Sequence, residues 1–518
     1  MGGIKTAADL GVPPVFNAAS FFVDRHVAEG RHASVAVECG DERVTYGELA
    51  ERVNRFGHVL RDELDVRPEE RVMLLLLDTP AFLVAFFGAI KIGAVPIPVN
   101  TLWKPPDYRH VLNDSRARVA IVSPELLPRF AAVDRDSVPA LRHVIVTGAD
   151  FDARLERAPA SLEAEPTNRD APAFWLYSSG STGAPKGCVH LQHDMVVCAE
   201  LFGKGVLNIR PTDRCFSVAK LFFAYGLGNA GYFPLAVGAT TILMPDPPLP
   251  GSVFATIRRF RPTIFFSVPT GFAMMLAYPG TFDLSSIRFA VSAGEALPAP
   301  LFERFKQRFG IDILDGIGST ETLQMFISNR PGLIKPGSSG LIVPGYEAAI
   351  LDEKKQPVPP GEMGDLWIRG DSICAGYWNQ HEQTKATIHG DWIRTGDRYR
   401  RDEAGFYWHG GRSDDMLKVG GQWVSPIEVE TALLGHAAVH ECAVIGREDG
   451  DALVKPAAYV VVREGVDATP QLAAELQQFV RAVLADYKRP RWVEFVTELP
   501  RTPTGKLQRF RLREDSRT

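Results

Sequence analysis

The stretch Tyr177–Gly187, YSSGSTGAPKG, packs hydroxyls, glycines and one cation into eleven residues. Ser178, Ser179, Gly180, Ser181, Thr182 and Gly183 form an unbroken run of small side chains, and Lys186 follows between a proline and a glycine. Backbone amides and hydroxyls in such a run can converge on phosphate oxygens, with the lysine as counter-charge. The order is not that of a Walker loop, because Lys186 precedes Gly187 and the extended CVHL rather than a serine or threonine opening a helix. A flexible surface turn is the plainer reading of the same composition. Gly226, Gly228 and Gly231 spell GxGxxG with Asp246 downstream, but FPLAVGATTILMPDPP is too short and apolar to supply the helix and strand of a dinucleotide site. No GxSxG elbow is present. His190 and His193 have no carboxylate or cysteine cluster beside them, so ordinary polar contacts are expected of them.

The elements that must carry this loop are read from periodicity. VMLLLL, VPIPV, VAIVS, HVIVTG, TTILMP, TIFFSVP, IRFAVSAG and DILDGIG alternate with helical patterns, which predicts a mostly parallel sheet covered by helices. The strand-like FWLY leads into the loop itself. After about Arg412 the texture changes: AVIG and AAYVVV suggest an antiparallel pair, and RWVEFV a closing strand. Between them TPQLAAELQQFVRAVLADY predicts a helix capped by Thr469 and begun by Pro470, with an apolar stripe of Leu472, Leu476, Phe479, Val480, Val483 and Leu484. The join GGRSDDMLKVGGQ suits an exposed hinge. The expected fold is therefore α/β: a large N-terminal body, residues 1–412, with parallel sheets, and a small C-terminal α+β domain, residues 413–518.

Length and charge narrow the function. A chain of 518 residues exceeds a single core, and a formal net charge of -5 offers no nucleic-acid surface. The apolar region from Val72 to Val99 is broken by Asp78, Pro80 and Lys91, so a buried strand, helix and strand are expected there rather than a membrane span. Six scattered cysteines read as reduced thiols of a cytoplasmic protein.

The loop resembles the phosphate loop of the adenylate-forming superfamily, which holds acyl-CoA synthetases, luciferases and adenylation domains. Five further signatures follow in that family's order: SAGEALP at 292–298, GIGSTE at 316–321, RTGD at 394–397, GRSDD at 411–415 and RTPTGK at 501–506. KLFFAYGLGN at 220–229 resembles benzoate-CoA ligases in particular. The resemblance implies ATP, Mg2+ and coenzyme A as reactants or cofactors, an aromatic carboxylic acid as substrate, and monomers or homodimers. It assigns Lys186, Thr320, Glu321 and Lys506 to catalysis, with Glu321 on the metal. It also places Gly294, Glu295, Ala296, Asp315, Gly316 and Ile317 along the nucleotide, with Asp397 and Arg412 on the ribose. Asp414 falls at the hinge position of a small domain that swings between two half-reactions, and Gly420 and Gly421 at the pantetheine tunnel. A lysine at 506 would stabilise the charge shared by carboxylate and α-phosphate as they meet.

Ala224, Tyr225, Gly318, Gln324 and Met325 fall where benzoate-CoA ligases hold the aryl ring. Where those enzymes tend to read GSTEMLHIF this chain reads GSTETLQMF, so Gln324 stands for a histidine, Met325 for an isoleucine and Thr322 for a methionine. Gln324 adds a donor and an acceptor, which suits an amino- or hydroxy-substituted benzoate such as 2-aminobenzoate, unless it only braces the loop. Two other functions share these motifs. One is an adenylation enzyme loading a carrier-protein thiol, separated by offering each acceptor to the preformed adenylate. The other is a non-catalytic nucleotide-binding protein, excluded by pyrophosphate release.

Overall fold

A computed structural model describes residues 3–178, 185–412, 415–419, 422–449, 453–501 and 507–515. Its largest layer is a nine-stranded sheet. Six strands run parallel through its centre: Val35–Cys39, Thr240–Leu243, Arg214–Ser217, Ile264–Ser267, Phe289–Ser292 and Ile313–Gly318. Most of these are four-residue apolar runs buried on both faces, as parallel strands covered by helices must be. A second, all-parallel sheet holds Val95–Pro98, Arg71–Leu75, Val119–Val122 and His143–Val146. The apolar region expected to be strand, helix and strand folds that way, around helix Pro80–Lys91. Lys91 interrupts it without loss because its buried ammonium donates to Asp24 at 2.6 Å.

Every parallel strand expected from sequence is present. The antiparallel ones are additional: Glu347–Leu351, Met363–Arg369, Ile388–His389, Trp392–Arg401 and Tyr407–Arg412 form a five-stranded sheet. Their faces mix charge with apolar residues, as in MGDLWIR and WIRTGDRYRR, so no clean apolar run marks them. The phosphate-loop strands, Pro172–Ser178 and Lys186–Leu191, are an antiparallel pair joined at its edge by Gly376–Tyr377.

The C-terminal domain has its own core. Strands Val439–Glu448 and Val454–Val462 pair antiparallel, Trp492–Phe495 adds in parallel, and helices Pro426–Leu434 and Pro470–Val483 cover them. Thr469 caps the latter as expected, accepting from the Leu472 amide at 3.2 Å, a cap worth about 1 kcal/mol. Two expectations are corrected. The helix buries Leu472, Leu476 and Val480, and Leu484, already extended past the helix end, still packs on the same core, but Val483 is 57% exposed. The join at 411–422 is not simply open hinge either. Gly411 is buried in a strand, and Leu417–Val419 pairs with Gln422–Val424 while Leu417 and Val419 enter the small core. No described helix is long and apolar enough to cross a membrane.

Candidate active site

The lysine of the phosphate loop is fixed from both sides. His110 donates to the Pro185 carbonyl at 3.0 Å. Gly187 lies so close to Tyr177 that a Cβ would stand 3.2 Å from its ring, while Trp378 donates its amide to the Gly187 carbonyl at 2.8 Å. That packing accounts for the Pro-Lys-Gly order. Ser178 ends its strand beside Lys186. Ser179, Gly180, Ser181, Thr182 and Gly183 lie outside the described residues.

Lys186 and Glu321 meet through a residue that sequence reasoning missed. The Lys186 ammonium sits 4.7 Å from the centre of the Tyr377 ring, a cation over the negative face of an aromatic. The Tyr377 hydroxyl donates to Glu321 Oε1 at 2.7 Å. Burial, followed by the Glu321 charge, raises the Tyr377 phenol far above its ordinary value, so it stays a donor. Nothing in the local string AGYWN marks the tyrosine; only the pairing of Gly376–Tyr377 against Cys188 and Val189 brings it here. The backbone of the acid is anchored as well, since the Cys374 amide donates to the Glu321 carbonyl at 2.7 Å.

Thr320 is held by its carbonyl, which accepts from His190 Nε2 at 2.8 Å. His190 and His193 are buried and make protein contacts, as expected. His193 faces the carbonyls of Arg169 at 2.9 Å and Asp371 at 3.1 Å. Burial works against its charged form, but the Asp194 carboxylate and these carbonyls outweigh it and raise its pKa. GxGxxG lies inside the helical segment Ala224–Val237 rather than in a loop before a helix.

The nucleotide-side residues collect at the carboxyl ends of the parallel strands, where open α/β sheets bind ligands. Asp315 is 3% exposed, and its Oδ1 has no hydrogen-bond partner among the described residues. Burial pushes its carboxyl well above the usual range. Gly316 and Ile317 continue the same strand, with Ile317 half-buried against the core. Gly294 takes φ +89°, a left-handed turn suited to glycine, and Glu295 beyond it accepts from Thr270 at 3.1 Å. Ala296 lies in that same turn. Asp397 faces Arg412 across neighbouring strands, with its Oδ1 3.4 Å from the guanidinium.

The aryl-side residues also assemble. Tyr225 donates its hydroxyl to the Val291 carbonyl at 3.0 Å, and its own carbonyl accepts from Gln324 Nε2 at 3.4 Å. Gln324 Oε1 accepts from the Met325 amide at 3.1 Å, so the side chain bridges two segments of the wall. Gly228 makes room for it: a Cβ there would stand 2.0 Å from Gln324 Nε2. Gly318 is likewise obliged to be glycine, its Cβ position lying 2.6 Å from the Gln324 carbonyl oxygen. Gln324 and Met325 are buried, whereas Ala224 and Tyr225 are half-buried. The carbonyl of Thr322, in the loop that also carries Glu321, accepts from buried Ser372 at 2.8 Å.

A divalent ion that keeps several waters and takes phosphate oxygens needs only one or two protein carboxylates. Glu321 fits that need, because among the described residues its Oε2 takes no hydrogen bond. No group of three or more His, Cys, Asp or Glu that could hold a metal ion occurs among the described residues. Asp414, Gly420, Gly421 and Lys506 lie outside the described residues. Arg501, five positions before Lys506 in the sequence, reaches Glu295 of the body at 3.8 Å and Glu441 of its own domain at 2.6 Å.

The AMP-binding enzyme model matches residues 24–378, and the AMP-binding enzyme C-terminal domain matches 428–506. The chain belongs to the AMP-binding enzyme family. It is 49% identical to a benzoate-CoA ligase of Thauera aromatica, over 98% of both chains. The crystal structure of the anthranilate CoA ligase AuaEII in complex with anthranoyl-AMP superposes with a TM-score of 0.94 at 44% identity, covering 99% of each chain. A benzoate CoA ligase from Burkholderia xenovorans gives 0.90 at 45% identity, covering 96% of this chain and all of that one. As a family member the protein is an AMP-forming acid-thiol ligase of the benzoate-CoA ligase type, working with ATP, Mg2+ and coenzyme A.

Proposed function

We propose that the protein activates benzoate or a small amino- or hydroxy-substituted benzoate, 2-aminobenzoate foremost, as the aryl-adenylate and passes the aryl group to coenzyme A. The observation that carries this reading is that Lys186, Tyr377 and Glu321 converge beside a wall of Tyr225, Gln324 and Met325. A carboxylate is a poor acyl donor because oxide would have to leave; attack on the α-phosphorus of ATP expels pyrophosphate and makes AMP the leaving group instead. The thiol of coenzyme A then displaces AMP to give the thioester.

In the first half-reaction the phosphate loop and Lys186 hold the triphosphate, and Thr320 contacts phosphate. Mg2+ bound at Glu321 would offset the charge that builds on pyrophosphate. Lys506 neutralises the two approaching anions. Asp315, buried with its Oδ1 unpartnered among the described residues, can accept from the adenine amine. Asp397 and Arg412 take the ribose hydroxyls. In the second, the small domain turns about Asp414 and brings Gly420 and Gly421 to the thiol arm. A boundary between 412 and 413 is supported by Asp415, whose carboxylate is bound by Arg513 and lies 3.8 Å from Arg509, so the chain from 415 onward moves with the C-terminal helix.

Gln324 already spends one donor and one acceptor on backbone groups, leaving one N–H and one lone pair for a ring substituent. Pyrophosphate release with ATP, Mg2+ and a panel of benzoate, 2-aminobenzoate, 2-hydroxybenzoate and 4-hydroxybenzoate tests the reading. Turnover should concentrate on one or two of these acids; no release with any of them sinks it. Equal kcat/KM across the panel removes the selectivity assigned to Gln324.

A further inference from the structure

His190 and Asp194 have no part in the chemistry just described, yet they touch it. Both are wholly buried. Asp194 Oδ2 accepts from the Leu191 amide at 3.0 Å and faces His190 Nδ1 at 2.7 Å, while the opposite ring nitrogen donates to the Thr320 carbonyl at 2.8 Å. Each ring nitrogen therefore faces an acceptor, and a carboxylate bound by a backbone amide fixes the ring's direction, as outer partners do for working histidines. The ring is also stacked on Phe174, with centroids 5.2 Å apart and planes inclined by 19°. Rotation of the imidazole is closed off on its face and at both nitrogens.

The position of this histidine along the chain matters. It lies on Lys186–Leu191, the strand that leaves the phosphate loop, and its hydrogen bond crosses to the loop that carries Thr320 and Glu321. Tyr377, from the strand paired on the other side, reaches the Glu321 carboxylate of that same loop. The phosphate-binding strand and the metal-binding loop are thus joined by two independent links, one to backbone and one to side chain. We propose that His190, oriented by Asp194, is a positioning residue that sets the Thr320–Glu321 loop at the height needed for Mg2+ and ATP. This rests on the assignment of Glu321 to the metal made above.

The test separates positioning from plain stability. His190→Phe keeps the ring stack and removes both ring nitrogens. It should lower kcat/KM for MgATP in aryl-acid-dependent pyrophosphate exchange by about tenfold, the usual order for one hydrogen bond to a working loop. The Mg2+ concentration for half-maximal exchange should rise several-fold. Thioester formation from supplied aryl-adenylate, which needs no metal at Glu321, should stay within about twofold, and His190→Gln, which retains a donor, should recover part of the loss. If His190→Phe does not give folded protein, His190→Met carries the same three measurements. An unchanged Mg2+ requirement, or equal losses in both half-reactions, overturns the proposal. Glu321→Ala separates the two readings: if it leaves exchange intact, the metal assignment falls, whereas if it abolishes exchange while His190→Phe leaves the Mg2+ requirement unmoved, only the positioning role falls.

Discussion

The two sides of the catalytic cleft are built differently. On the body side the loop from Thr320 to Gln324 is fixed by short bonds to interior groups: His190 and Ser372 each donate at 2.8 Å, the Cys374 amide and the Tyr377 hydroxyl each at 2.7 Å. On the other side, Arg501 of the small domain approaches Glu295 at 3.8 Å, with both side chains about 30% exposed. Its shorter bond, 2.6 Å, is to Glu441 within its own domain. Buried, well-aligned hydrogen bonds preorganise a site at little cost during reaction, whereas a long, wet ion pair is screened and weak. The loop from Thr320 to Gln324 is thus held by buried bonds, whereas the Arg501–Glu295 contact is long and partly exposed.

The largest effect is expected in the C-terminal domain. Lys506→Ala should cut adenylation by roughly 10²–10³-fold, as loss of a charge that acts only in the transition state does, and should largely spare thioester formation from supplied adenylate. Comparable losses in both would erase the division of labour. Within the body, Gly228→Ala puts a Cβ 2.0 Å from Gln324 Nε2. The side chain must move, so thermal stability should fall by about 1–3 kcal/mol, the usual cost of overpacking, and preference among substituted benzoates should change with it. An unaltered acid profile would detach Gln324 from selectivity.

Tyr377→Phe removes the hydroxyl from Glu321 and keeps the ring under Lys186. It should cost adenylation about tenfold, as one hydrogen bond to a carboxylate does, and pyrophosphate exchange measures it. The body should also respond to acid at a point far from the cleft. His26 is buried, with Nε2 on the Leu235 carbonyl and Nδ1 accepting from Arg31 at 2.9 Å, and burial lowers its pKa to about 4. The unfolded chain takes up this proton near pH 6.5 and the folded chain only near 4, so stability present above pH 6.5 should be lost as pH falls through that window. Over the whole window the loss is about 3 kcal/mol, and thermal melts of the wild type against His26→Gln measure it. The smallest effect belongs to Arg501→Ala, expected to change stability by under about 1 kcal/mol. A large loss there would mean the cross-cleft contact is not weak after all.

Much of this architecture was open to reading from the sequence, and unevenly so. Parallel strands announced themselves because burial on both faces demands apolar runs such as TILM and IFFS. The antiparallel strands between Glu347 and Arg412 did not, because one face of each is wet and alternation there is broken by bulges at Asp365/Trp367 and Arg398/Tyr399. Glu321, Lys186, Asp315 and the aryl-side residues were singled out by motifs that resemble the adenylate-forming family, and the structure links Lys186 and Glu321 through Tyr377. Tyr377 and Ser372 were not: each is one ordinary residue, distant in sequence from what it binds.

The linear order of residues was enough to point to the family, through motifs that resemble it, and to the parallel core, since apolar periodicity is a property of the chain itself. Only tertiary structure decided that Lys186 and Glu321 share one aromatic ring, that Gln324 occupies space vacated by Gly228, and that His190 reaches Thr320. Those contacts join residues between 56 and 191 positions apart in sequence. Hydrogen bonds act over about 3 Å, so such partnerships exist only once the sheets have packed.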